Sequence, residues 1–154
     1  MRIEKKLEEM GIELPAVEPN TQIALIPGVK VGSLLFLSGC GPADTSGRDS
    51  WHGKVGVDYS TEEGVEAAKW CGVSLLAAAK SVVGDLDRVK RVVKVLGMVN
   101  APPDFEDQPR VINGCSDLFV ELFGEMGRHA RSAVGMGSLP MGLPVEIEAI
   151  FEIE

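Results

Sequence analysis

Imidazole and phenol chemistry is scarce in this chain: its 154 residues include two histidines and one tyrosine. With His52 and His129 as the whole supply, a histidine pair for the phosphoryl chemistry of RNA cleavage has little to be built from. The three cysteines, Cys40, Cys71 and Cys115, show no CxxC or Cys/His metal spacing, so no metal centre is expected. Their odd number, without a signal peptide, points to a reducing compartment rather than a disulfide framework. No apolar run approaches the roughly 20 residues that cross a bilayer, and the charged start MRIEKKLEEM is no targeting peptide, so a cytoplasmic location is expected. Positive charge is also short. A net charge of −8 opposes general nucleic-acid binding, whose affinity comes mainly from cations that neutralise phosphates. The basic run Arg88, Lys90, Arg91, Lys94 reads as one strand's edge, not a stripe.

What is present is ordinary globular material, 45% apolar and 25% charged, enough for one domain over residues 1–154 that buries a core without staples. Ile3, Leu7 and Met10 predict a short amphipathic helix that Gly11 can end. IALIPG, VKVG and LLFLSG between Thr21 and Gly39 read as strands. Glycine and polar residues from Gly41 to Gly56 predict a long mobile loop. Ser60-Thr61-Glu62-Glu63 is a capping box that opens a helix to about Val83. The β-branched stretch from Asp87 to Asn100 predicts a strand, and Pro109 opens a second long helix whose apolar face runs from Val111 to Phe123.

The last quarter carries most of the information. Arg131 to Ser138 and Val145 to Ile153 read as two strands around a Pro/Gly turn, a terminal hairpin. In the second strand Val145, Ile147, Ala149, Phe151 and Ile153 alternate with Glu146, Glu148 and Glu152, the pattern of a half-buried antiparallel strand. Two helices over such a sheet make an α+β fold with the helices on one face. Strands such as LLFLSG and RVVKVLGMV are apolar on both faces, so the second face needs a cover, and a partner subunit is the simplest. Arg131 opens its strand without a local acidic partner. It reads either as an anion hook or as a surface charge.

Arg131-Ser132-Ala133-Val134-Gly135-Met136-Gly137-Ser138-Leu139-Pro140, followed by Val145-Glu146-Ile147-Glu148-Ala149-Ile150, resembles the C-terminal signature of the RidA/YjgF family of enamine/imine deaminases. The resemblance extends more weakly over residues 22–154 and leaves out an N-terminal extension (1–20) and an inserted loop (43–57). It implies a chorismate-mutase-like fold, a homotrimer with ligand clefts between subunits, and hydrolysis of small 2-enamino or 2-imino acids without metal or organic cofactor. It implies that Arg131 binds the substrate carboxylate and that Glu146 positions the hydrolytic water. It also places Asn113, Ser38 and the backbone of Ala133 at the cleft. No tyrosine stands where active relatives pack one over the substrate. That position falls at about Leu25, and Cys40 replaces a glutamine after Ser38-Gly39. A non-catalytic, trimeric binder of small carboxylates is therefore the alternative, and an endoribonuclease the third reading. Cys40 reads as a small buried thiol, and His129 as a cleft wall or helix cap rather than a general base.

Overall fold

The computed structural model describes residues 1–154. Helix α1 (Arg2–Glu9) packs Ile3 and Leu7 into the core, as their spacing predicts. Strands β1 (Gly28–Val31) and β2 (Leu34–Leu37) form a hairpin across Gly32-Ser33, with Gly32 at φ 60°, a conformation glycine adopts without steric cost. Helix α2 (Thr61–Val83) starts at the expected capping box: Ser60 accepts from the Glu63 N–H, and Glu63 accepts from the Ser60 N–H. Strand β3 (Val89–Asn100), helix α3 (Gln108–Phe123), strand β4 (Ala130–Met136) and strand β5 (Val145–Ile153) complete the chain.

The five strands lie in the order β1-β2-β5-β3-β4. β3 and β4 are parallel, joined through α3 as a βαβ unit, and the other pairs are antiparallel. The terminal hairpin is therefore corrected: β4 and β5 do not pair, because β3 lies between them and bonds to both. Residues 137–144 step across the end of β3 instead of turning tightly. The alternation in β5 reported which side chains face inward, not which strand sits beside it.

Two other expectations change. Residues 21–27 form no strand; Ile23, Leu25 and Ile26 are exposed, because this stretch has no strand within the chain to pair with. The 43–57 segment is not a free loop. Trp51 and Val55 are buried in the core, and backbone bonds tie Ala43 to Trp70, Gly53 to Gly142 and Val55 to Asn100. Lys54 donates its ammonium to the Asn100 side chain, at 2.7 Å, and to the Gly137 carbonyl. Asn100 is buried, and its own amide donates to Leu143 O, so this segment is pinned to the C-terminal ends of both parallel strands.

Both long helices pack on one face of the sheet, against Val92, Val95, Val99, Ile147, Ala149 and Phe151. Two glycines set how closely α3 sits. A Cβ at Gly97 would lie 2.5 Å from Ile112 side-chain atoms. A Cβ at Gly114 would overlap the Val65 carbonyl oxygen and stand 2.9 Å from its carbon. The other face carries no element of the chain: Val29, Val31, Phe36 and Val134 are exposed there.

Candidate functional site

Because β3 and β4 are in parallel register, Arg131 lies level with Val95, and Ala133 with Gly97. α3 is pressed over this part of the sheet, and its residues 113 and 116, one turn apart, share the face that looks toward Arg131. Arg131 Nη1 donates to Asn113 Oδ1 at 2.8 Å and to Ser116 Oγ at 3.2 Å. Ser116 Oγ is 2.9 Å from His129 Nε2, and His129 Nδ1 is 2.7 Å from Gly127 O. A carbonyl only accepts, so Nδ1 carries the imidazole proton and Nε2 offers a lone pair. The serine proton therefore points at His129, while the serine oxygen accepts from Arg131. Burial first, and Arg131 next to it, hold the His129 pKa below the ordinary value, although the Gly127 bond opposes them.

Arg131 is half-buried and has no carboxylate within ion-pairing distance. Only Nη1 makes hydrogen bonds; the Nε and Nη2 donors bond nothing in the chain. Ser116, Val120, Arg128, His129 and Arg131 line a hollow of about 210 Å³ beside it.

Glu146 is elsewhere. It pairs with Met98 and projects from the face opposite the helices, since its neighbours Val145 and Ile147 are buried among them. It is half-buried and pressed over Gly39, where an added Cβ would lie 2.8 Å from Oε2. Ser38, beside Gly39, donates to Ile26 O at 2.6 Å. Ser38, Gly39, Cys40 and Leu25 line a cavity of about 470 Å³ with Glu18, Asp44 and part of the N-terminal segment. Burial first, then Glu146, push the Cys40 thiol up to about 11, so it is protonated and a poor nucleophile at neutral pH.

The expected residues thus form two groups. Arg131, Asn113 and Ala133 come together at the β4 edge; Ser38 and Glu146 come together two strands away. Within one chain the two groups do not meet. Arg131 is level with Ala149 through β3, about 10 Å across two strand spacings, and Glu146 lies three residues further along β5 on the other face. Ser116 was not singled out by sequence, although its position three residues after Asn113 on one helix was the available signal. The chain's single tyrosine, Tyr59, is occupied: its hydroxyl accepts from the His52 N–H, and its ring packs on Trp51. Glu4, Asp85 and Asp87 gather their carboxylates near α1. Asp87 there already accepts from the Met1 ammonium and from the Arg2 and Ile3 N–H groups, the capping arrangement of a helix start.

The sequence profile described as "YjgF/chorismate mutase-like, putative endoribonuclease" matches residues 4–145. The chain belongs to the RidA/YjgF family. Family relatives include Protein TCP17 of Trypanosoma cruzi, 41% identical over 99% of this chain and 94% of that protein. The crystal structure of Atu1372 from Agrobacterium tumefaciens superposes with a TM-score of 0.89 at 43% identity, covering 99% of this chain and 94% of that one. The fold is also that of E. coli TdcF, crystallised with bound serine, at a TM-score of 0.59 and 20% identity over 92% of this chain and 94% of that one. These likenesses agree with the α+β, chorismate-mutase-like family fold. No helix of the chain is long and apolar enough to cross a membrane.

Proposed function

We propose that the protein hydrolyses small 2-enamino or 2-imino acids to 2-keto acids and ammonia, with Arg131 as the carboxylate hook. The observation that carries this reading is the unpaired Arg131: Asn113 and Ser116 hold Nη1, leaving Nε and Nη2 free along one edge of the guanidinium. That edge matches a carboxylate through two parallel hydrogen bonds. A charge-assisted hydrogen bond contributes about 1.5–3 kcal/mol, so losing the arginine should weaken binding at least tenfold. The serine of TdcF, a small amino acid with one carboxylate, is consistent with such a ligand.

The other half of the cleft comes from a second copy. The open sheet face, with Val29, Val31, Phe36 and Val134 exposed, is the surface that a homotrimer buries. In that assembly Glu146 and Ser38 of one subunit stand opposite Arg131 of the next, and Glu146 orients the attacking water.

A coupled assay tests the reading. A dehydratase generates 2-aminoacrylate or 2-iminobutanoate in situ, and keto-acid formation is followed with wild type and with Arg131→Ala. Acceleration by wild type and its loss in the variant are expected; no acceleration by the wild type refutes the enzyme. Non-catalytic carboxylate binding is then favoured by one observation: exposed Leu25 stands where active relatives place a tyrosine. RNA cleavage is disfavoured by the net charge of −8, and Arg88 of the basic run is already committed to Val83 O and Glu154 O.

A further inference from the structure

The hydrogen bonds around Arg131 run in one direction. Arg131 donates to Ser116, Ser116 donates to His129, and His129 donates to the Gly127 carbonyl. The backbone carbonyl fixes the imidazole tautomer, leaving a neutral ring whose basic nitrogen is already occupied by a hydroxyl proton. Ser116, His129 and Arg131 all line the same hollow. Glu146, the other acid–base candidate, is absent from this network.

We infer that His129, acting through the Ser116 hydroxyl, is the proton acceptor for the chemistry at Arg131. This rests on the deaminase reading of that arginine. A water in the hollow attacks the C=N carbon of the bound iminium and forms a C–O bond. It gives a proton to Ser116 Oγ while the serine proton passes to His129 Nε2, so the π electrons of C=N become the nitrogen lone pair. Imidazolium then returns its proton to that amine through the same hydroxyl. The C–N bond breaks and ammonia leaves with its electron pair, while an oxygen lone pair forms the new C=O bond. The remaining hydroxyl proton passes through Ser116 to His129, neutral again by then, which gives it up to ammonia as ammonium. No oxidant or co-reactant is needed. Glu146 orients; His129 accepts.

The surrounding charges make the base depend on substrate. Arg131 and Arg128 flank His129, and Arg91 and Glu152 line the adjoining hollow on its other side. Arg128 lies 3.8 Å from Glu125, which offsets part of its charge. Arg131 has no such partner until a carboxylate binds. Ligand binding therefore neutralises the cation next to His129 and raises its proton affinity at the moment a proton must be taken. The edge of the ring against Phe119, 6.1 Å between centroids, keeps that side apolar.

Two measurements test this. In the coupled assay His129→Gln and Ser116→Ala should lower kcat by about 10²-fold or more with KM near the wild-type value. They should also abolish the acid limb of the pH–rate profile, while Ser116→Thr, which keeps the hydroxyl, restores much of the rate. An acid limb and kcat that survive His129→Gln, or that follow Glu146→Gln instead, would overturn the inference. Independently of turnover, NMR titration of the His129 ring with and without pyruvate should show its pKa rising on binding in wild type but not in Arg131→Ala. Pyruvate bound through Arg131 with the His129 titration unmoved would overturn the coupling even if the protein deaminates. Failure of pyruvate to bind in calorimetry would instead refute the Arg131 hook and, with it, the inference. Thermal melts of each variant verify that the fold is retained.

Discussion

Gly114→Ala sets two energetic rules against each other, and the structure decides between them. Inside a helix the exchange should stabilise, by about 1 kcal/mol of intrinsic propensity. Here the new methyl would overlap the Val65 carbonyl oxygen and lie 2.9 Å from the Val65 carbonyl carbon and 3.1 Å from the Lys69 nitrogen. Carbon contacts settle near about 3.5 Å, so α2 and α3 must separate by at least about half an ångström. The obstacle is backbone, which cannot rotate away, so the cost belongs at the upper end of overpacking penalties, about 3 kcal/mol. The net loss is about 2 kcal/mol, which for a chain of this size lowers Tm by about 4–8 °C. Circular-dichroism melts of wild type and variant measure it directly. Gly64→Ala in α2 is the control: its methyl would meet Val55 and Val111 side-chain methyls at 3.0–3.2 Å, which can shift, so its Tm should stay within about 3 °C. A Gly114→Ala Tm equal to or above wild type would refute the claim that helix contact overrides propensity at this position.

Light scattering should report a trimer for wild type and a monomer for Phe36→Asp, which places a carboxylate on the open sheet face; a trimeric variant would remove this face from the interface. Gly39→Ala pushes Glu146 aside, and a misplacement of about 1 Å should lower turnover by up to about 10²-fold while carboxylate affinity persists; unchanged turnover would exclude Glu146 from the cleft. Asp87→Ala removes the carboxylate that the Met1 ammonium and the Arg2 and Ile3 N–H groups share, and losing a cap of this kind costs about 1 kcal/mol. Those same donors, the ammonium foremost, hold the Asp87 pKa well below the usual carboxylate range. Its contribution is therefore fully present above about pH 4 and declines as the pH falls below that. The gap between wild-type and Asp87→Ala urea midpoints should be full at pH 7 and smaller at pH 3; a gap that widens in acid would refute the assignment.

The helices and β3 were legible because each is specified locally, by a capping box at Ser60, by Pro109 and by an unbroken β-branched run. Strand pairing was not, because the two-residue period of β5 is satisfied equally beside β4 or β3, and only the three-dimensional route of residues 137–144 decides. Trp51 and Val55 sat among glycines and polar residues, a composition that hides two buried anchors. At the site, the family motif led to Arg131 and Asn113. Ser116 and His129 stayed unseen as a pair because 13 positions separate them, and they meet only through the seat of α3 on Gly97 and the register of β4.

The clamp of Lys54 on Asn100 and Gly137 has a practical corollary for anyone labelling or extending this protein. A fluorophore or peptide inserted between Trp51 and Tyr59 would lever out two core side chains and release the ends of both parallel strands. The exposed turn at Gly47, where an added side chain meets no atom within 4 Å, belongs to the same segment but carries no core side chain, and its neighbour Arg48 is held separately, stacked over Trp51 and paired with Glu63. Its φ of 89° argues for keeping the glycine and placing the cargo after it. One short segment thus offers both the worst and the most permissive graft point, less than ten residues apart.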